Sequence, residues 1–197
     1  MNRLTLFVIC CLATKNLVSQ QLIMVDAAYK TLKGAVRVTD TKAWDDLLGE
    51  VDEHRRMLLP GFSVTVNHGR YDSFYISQGK LIAFSGNKVE NLGFAVDFCD
   101  LGIGDGLSRS AIEWKMTGRK GRRILKVEWK NIGFFDEWSY NGVCSHYMNF
   151  QIWLREKGGS AELRLGERHL TPGQAHEIAQ AIGKNECVTL KMGRQSY

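Results

Sequence analysis

Apolar and polar residues alternate with period two through most of the second half of the chain. Ile112, Trp114 and Met116 alternate with Glu113, Lys115 and Thr117, and Leu125, Val127 and Trp129 alternate with Lys126, Glu128 and Lys130. Phe150, Ile152 and Leu154 alternate with Asn149, Gln151 and Trp153, and Ala161, Leu163 and Leu165 with Glu162 and Arg164. Successive strand side chains point to opposite faces, so each run predicts a strand with one buried face. Upstream, Phe62, Val64 and Val66 alternate with Ser63 and Thr65 between turns at Pro60-Gly61 and Asn67-His68-Gly69. Tyr71 to Ser77 and Lys80 to Phe84 predict a hairpin closed at Gln78-Gly79. Gly34 to Val38 and Gly93 to Phe98 add two more strands.

The period changes near the C-terminus. Ala175, Ile178, Ala179 and Ile182 have the spacing of one helix face, with Thr171-Pro172 to open the helix and Gly183 to end it. Cys187 to Met192 predicts a last strand, and Ala43 to Glu53 reads as a short helix or an irregular strand with Trp44 and Leu47 or Leu48 inward. Strands that each bury one face need a second layer. The pattern therefore predicts an all-β fold, an antiparallel two-sheet sandwich of jelly-roll or lectin-like form with one short C-terminal helix. The connection Asn131 to Tyr147 is long enough to cross between sheets. A four-residue loop at Gly118 to Gly121 would set Glu113 opposite Lys126 as a cross-strand ion pair.

Composition adds compartment. The 197 residues suit one domain with a proper core. Arg3 is followed by the apolar run Leu4 to Ala13, which falls short of the roughly 20 residues that span a bilayer, and then by a more polar stretch ending at Ser19. Residues 1–19 thus read as a signal peptide, 20–43 as an N-terminal segment with one strand, 44–170 as the sandwich core, and 171–197 as a helix and strand packed on it. Export to the periplasm or the cell exterior follows, with no transmembrane segment left after signal removal. Loss of Arg3 and Lys15 takes the formal charge from +5 to +3. Arg119, Lys120, Arg122 and Arg123 cluster, but at a hairpin tip, where solvated charge is ordinary. Nucleic acid would need a broader basic face with stacking aromatics, and export argues against it. Beyond the signal stand Cys99, Cys144 and Cys187, without zinc spacing. An exported protein allows one disulfide among them. Cys99 with Cys144 is the first expectation, since both fall in predicted loops flanking the central sheet.

Three pieces in order carry a resemblance. They are Phe74 to Phe84 (FYISQGKLIAF), Arg123 to Asn131 (RILKVEWKN) and Asn149 to Leu154 (NFQIWL). They resemble a domain common in secreted proteins of the Bacteroidota, often in chains that also carry a type IX secretion sorting domain. That domain typically shows R-x-x-x-V-E-W-K-N, then N-F-Q-x-W-L-Y-E, then a short I-E-F-x-Y-G strand, at whose position Ala161 to Gly166 stands here. The likeness runs from Trp44 to Gly166. It implies a β-sandwich, extracellular exposure and no established catalytic residue. No sorting module is seen, so a periplasmic location stands beside an extracellular one, and the helix from Thr171 to Gly183 is outside the pattern.

Few constellations suggest chemistry. Gly102, Gly104 and Gly106 lack the following helix that a phosphate loop needs. Asp97, Asp100 and Asp105 bracket that loop and suit either a structural calcium or turn formation; no other cofactor is expected. Glu113 and Glu128 are the conceivable carboxylate pair of a glycoside hydrolase, although flanking lysines favour ion pairing. The histidines form no metal or catalytic motif. Aromatics give the better lead: Trp138 and Tyr140 in the loop from Phe134, with Tyr147 and Trp153 on faces opposite the core set. Exposed aromatics stack on sugars or anchor protein partners. The expectation is an exported, non-catalytic module binding a glycan or an envelope protein, with a polysaccharide hydrolase and a purely structural domain as the alternatives.

Overall fold

In the computed structural model, residues 25–26, 29–39, 43, 56–57, 59, 61–66, 69–94, 96–157, 161–183 and 188–192 are described. The signal peptide, the element expected around Trp44, Cys187 and the turns at Pro60 and Asn67-His68 lie outside them. Among the described residues, fourteen strands and two helices follow in order. They are β1 (Val25–Asp26), β2 (Val36–Arg37), β3 (Arg56–Met57), β4 (Val64–Val66), β5 (Gly69–Tyr71), β6 (Ser73–Ile76), β7 (Lys80–Ser85), β8 (Lys88–Gly93) and β9 (Phe98–Asp100). Then come β10 (Ala111–Thr117), β11 (Ile124–Phe134), α1 (Phe135–Asn141), β12 (Tyr147–Arg155), β13 (Ala161–His169), α2 (Pro172–Gly183) and β14 (Val188–Met192).

The alternating runs form the large sheet, in the order β1-β14-β13-β12-β11-β10-β2, with β9 also paired to β11. β11 is long enough to hold β10 along its first part and β9 along its end, where Ile132, Gly133 and Phe134 face Asp100, Cys99 and Phe98. A second sheet, β3-β6-β7-β8, and the ribbon β4-β5 supply the other layer. The inward sets predicted from alternation make one core, with Phe74, Leu81, Leu92 and Phe94 meeting Ile112, Val127, Trp129 and Phe150. Trp129 is fully buried, stacks on Phe150 at 4.7 Å and donates its indole N–H to the Ser77 carbonyl at 3.0 Å, which pins the β6–β7 turn to the large sheet. The all-β sandwich with a C-terminal helix is as the sequence predicts. Among the described residues no helix is long and apolar enough to cross a membrane.

Several details differ from expectation. The strand expected from Gly93 to Phe98 is instead the end of β8 and the start of β9, and the connection expected to cross between sheets joins β11 to β12, its neighbour in the same sheet. The β10–β11 turn spans residues 118–123 rather than 118–121, with Gly118 and Gly121 both at positive φ. The register therefore moves by two, and Glu113 stands opposite Glu128, not Lys126. The sheet is mixed, because β14 runs parallel to β13 and β1 parallel to β14. α2 is thus the crossover of a β-α-β unit, opened by a reciprocal cap in which Thr171 Oγ1 accepts from Gln174 N–H and Gln174 Oε1 accepts from Thr171 N–H. The expected loop after Phe134 begins with a second helix, α1. Finally, Cys99 lies in strand β9 rather than in a loop.

Candidate functional site

α1 and the segment after it form a rim at the end of β11. Asp136 and Glu137 occupy the first turn, where acidic residues suit the helix dipole. The chain leaves the helix at Gly142, whose N–H bonds the Trp138 carbonyl at 2.7 Å. Glu137 then organises the return to β12. Its carboxylate accepts from the backbone N–H groups of Ser145 (3.1 Å) and His146 (3.0 Å), from the Ser145 hydroxyl and from His146 Nδ1 (2.8 Å). Burial pushes the Glu137 carboxyl up, but these donors outweigh it and hold the group below the usual carboxylate range. Ser145 and Glu137 both meet the same imidazole nitrogen. A serine nucleophile needs its base and its orienting acid on opposite nitrogens, so this cluster fixes a loop rather than activating a hydroxyl. No local sequence signal marks Glu137 for that role.

The rim carries the expected aromatics unequally. Tyr140 is 86% exposed, with Val143 at 60% and Leu107 at 71%. The 101–107 loop comes close to Gly142, since a Cβ on Gly104 would lie 3.4 Å from the Gly142 carbonyl oxygen. Trp138 is half-buried against Phe135, ring centres 5.5 Å apart. Tyr147 donates its hydroxyl to Glu167 at 3.0 Å, which raises the phenol, and lies beside His169, itself stacked on His146 at 4.8 Å. Beneath the rim the Cys99 and Cys144 sulfurs lie 3.2 Å apart and are present as thiols. Their hydrogen bond raises Cys99, with burial adding to it, and lowers Cys144.

Trp153 belongs elsewhere. It lies six residues along β12 from Tyr147, about 20 Å at strand rise, on the outer face of the large sheet. Lys126 Nζ and the Arg164 guanidinium sit over its ring at 3.8 Å and 3.3 Å from the centroid, and its N–H donates to Gln151 Oε1 at 2.8 Å. It supports cations instead of presenting an open platform. Beside it Glu128 is fully buried, accepting from the Tyr29 hydroxyl (2.6 Å), Leu32 N–H (2.9 Å) and Gln151 Nε2 (2.7 Å). Residues 29–32 lie over this carboxylate. Burial and then Glu128 push the Tyr29 phenol far up.

The three aspartates are not gathered into one site. Asp100 is fully buried and accepts from Gly102 N–H, Arg109 N–H and the Ser108 hydroxyl. Asp105 pairs with Arg109, and the Asp97 carbonyl accepts from Phe135 N–H. Among the described residues no group of three or more His, Cys, Asp or Glu side chains is placed to hold a metal ion.

Comparison with curated proteins and with solved structures finds no match. A family model described as NIDO related matches residues 24–189, from just before β1 into β14, and the chain belongs to that family.

Proposed function

We propose that this NIDO-related chain is an exported, non-catalytic interaction module that engages a protein partner through the rim formed by α1 and the 142–147 segment. The observation that carries the reading is the placement of Tyr140, 86% exposed near the end of α1, and of the exposed Val143 just after it, on a rim that Glu137 ties to Ser145 and His146 with four hydrogen bonds. An apolar anchor on a fixed loop binds without first having to be ordered. The exposed aliphatic Val143, three residues on from Tyr140, favours a protein surface over a sugar, which wants polar groups around the stacking ring. Family membership and the resemblance to secreted Bacteroidota sandwich domains support an extracellular or periplasmic setting.

The non-catalytic part of the reading is supported by Glu128, whose oxygens are engaged by three protein donors beneath residues 29–32. The reading needs no cofactor. It is tested by retention of the purified protein on cell-envelope material before and after protease treatment, with Tyr140→Ala and Val143→Asp as variants. Protease-sensitive retention that both variants lose supports a protein partner. Protease-resistant retention transfers the rim to a glycan. Release of soluble sugar from the material, abolished in Glu113→Gln, would replace the module with a hydrolase.

A further inference from the structure

A second surface lies at the opposite end of β12. The end of the 118–123 turn and the end of β12 border an open cleft of about 370 Å³, lined by Arg122, Arg123, Ile124, Arg155 and Lys157. Four of these five residues are cations. Arg123 is held by Glu156, while Arg155 and Arg164 share Glu162 at 2.7 Å and 3.0 Å, two cations on one carboxylate. Among the described residues neither Arg122 nor Lys157 forms an ion pair. The positive field continues along the outer face, since Lys126 and Arg164 flank the Trp153 ring one strand to either side of it. Burial and then Arg164, Arg155 and Lys115 push the Lys126 ammonium below its usual range, the mark of cations crowded together.

We infer that this end of the large sheet binds an acidic polysaccharide, its sulfate or carboxylate groups seated between Arg122, Arg155 and Lys157 and its chain running on toward Lys126 and Arg164. The shape selects the ligand class. The cleft falls within the roughly 300–1,000 Å³ of organic ligand sites, more than one inorganic anion fills. Its cations continue across the strands, with Lys115 of β10 opposite Lys126 of β11 and Arg164 of β13 on the other side of the Trp153 ring, which suits a polymer that carries more than one charge. A nucleic acid would need an open aromatic face for its bases, and the Trp153 ring is already taken by cations. The surface is independent of the Tyr140 rim.

The test is retention of the purified protein on immobilised dextran sulfate and polyuronate, with neutral dextran as the blank. Retention should fall steeply as salt rises. Arg122→Glu and Lys157→Glu should each weaken it about tenfold, as for removal of a well-placed interfacial charge. Lys88→Glu on β8 makes the same change in net charge in the other sheet and should leave retention unchanged, as should Tyr140→Ala on the rim. Equal losses in Lys88→Glu, absence of retention at low salt, or displacement by inorganic sulfate at matched charge would each overturn the proposal.

Discussion

Glu113 and Glu128 face each other directly across β10 and β11, and each is satisfied by different partners. Lys130 Nζ reaches Glu113 at 3.0 Å from the same sheet face, while Glu128 depends on Tyr29, Leu32 and Gln151. Two carboxylates in one register thus have unlike burdens. Glu128→Ala strands buried donors and should cost about 3 kcal/mol in urea denaturation. Glu113→Ala breaks a partly exposed ion pair and should cost about 1 kcal/mol or less. Equal costs would mean that residues 29–32 do not cover Glu128 in solution.

The Cys99–Cys144 contact predicts a disulfide when the protein is produced in an oxidising compartment. Intact mass should then be two hydrogens lighter, and the shift should disappear in Cys144→Ala. Closing a loop between positions 45 apart stabilises by about 4 kcal/mol on the chain-entropy model, so a reductant should lower the melting temperature of wild type and leave Cys144→Ala unmoved.

Acid should act through Glu156 and Glu137. The Arg123 guanidinium beside Glu156 holds its carboxyl down to about 2. A depressed folded pKa gives stability that is fully present above the ordinary Glu value of about 4.3 and is lost as pH falls through the folded value. Glu137 contributes with the same sign. Wild type should therefore melt above Glu156→Gln at pH 6, and the gap should close as pH falls toward 2. A gap that stays constant with pH would show that Arg123 and Glu156 are apart in solution.

Asp100 gives a test of loop chemistry. Its three protein donors predict the same melting temperature in excess calcium and in chelator. Asp100→Ala should cost about 3 kcal/mol in both media, because it leaves those donors without a partner. A calcium-dependent rise in wild type would restore a metal to the 100–110 loop.

Much of this fold could be read from local pattern. Alternation placed β10 to β13 because a strand buries every second residue whatever its partner. Thr171-Pro172 placed the start of α2 because capping is settled within one turn. Register was not local: Glu113 met Glu128 and not Lys126 because the turn took two more residues than its glycines suggested. The parallel course of β14 depends on where α2 docks, which no periodicity in Val188 to Met192 encodes. The sites were harder still. Trp153 sits on the polar face as expected, but its environment comes from Lys126 and Arg164 on two other strands. The basic cleft joins a turn that reads as solvated charge to Arg155 and Lys157, more than thirty residues away.

β1 and β14 lie side by side and parallel, Val25 beside Lys191 and Asp26 beside Met192. A pull applied through the chain before β1 and after β14 would load this pair along its length from opposite ends. Its hydrogen bonds would then have to fail together rather than peel apart in turn. Tension carried through these two segments would meet this seam first, and the α1 rim and the charged cleft would keep their shapes until the seam gave way.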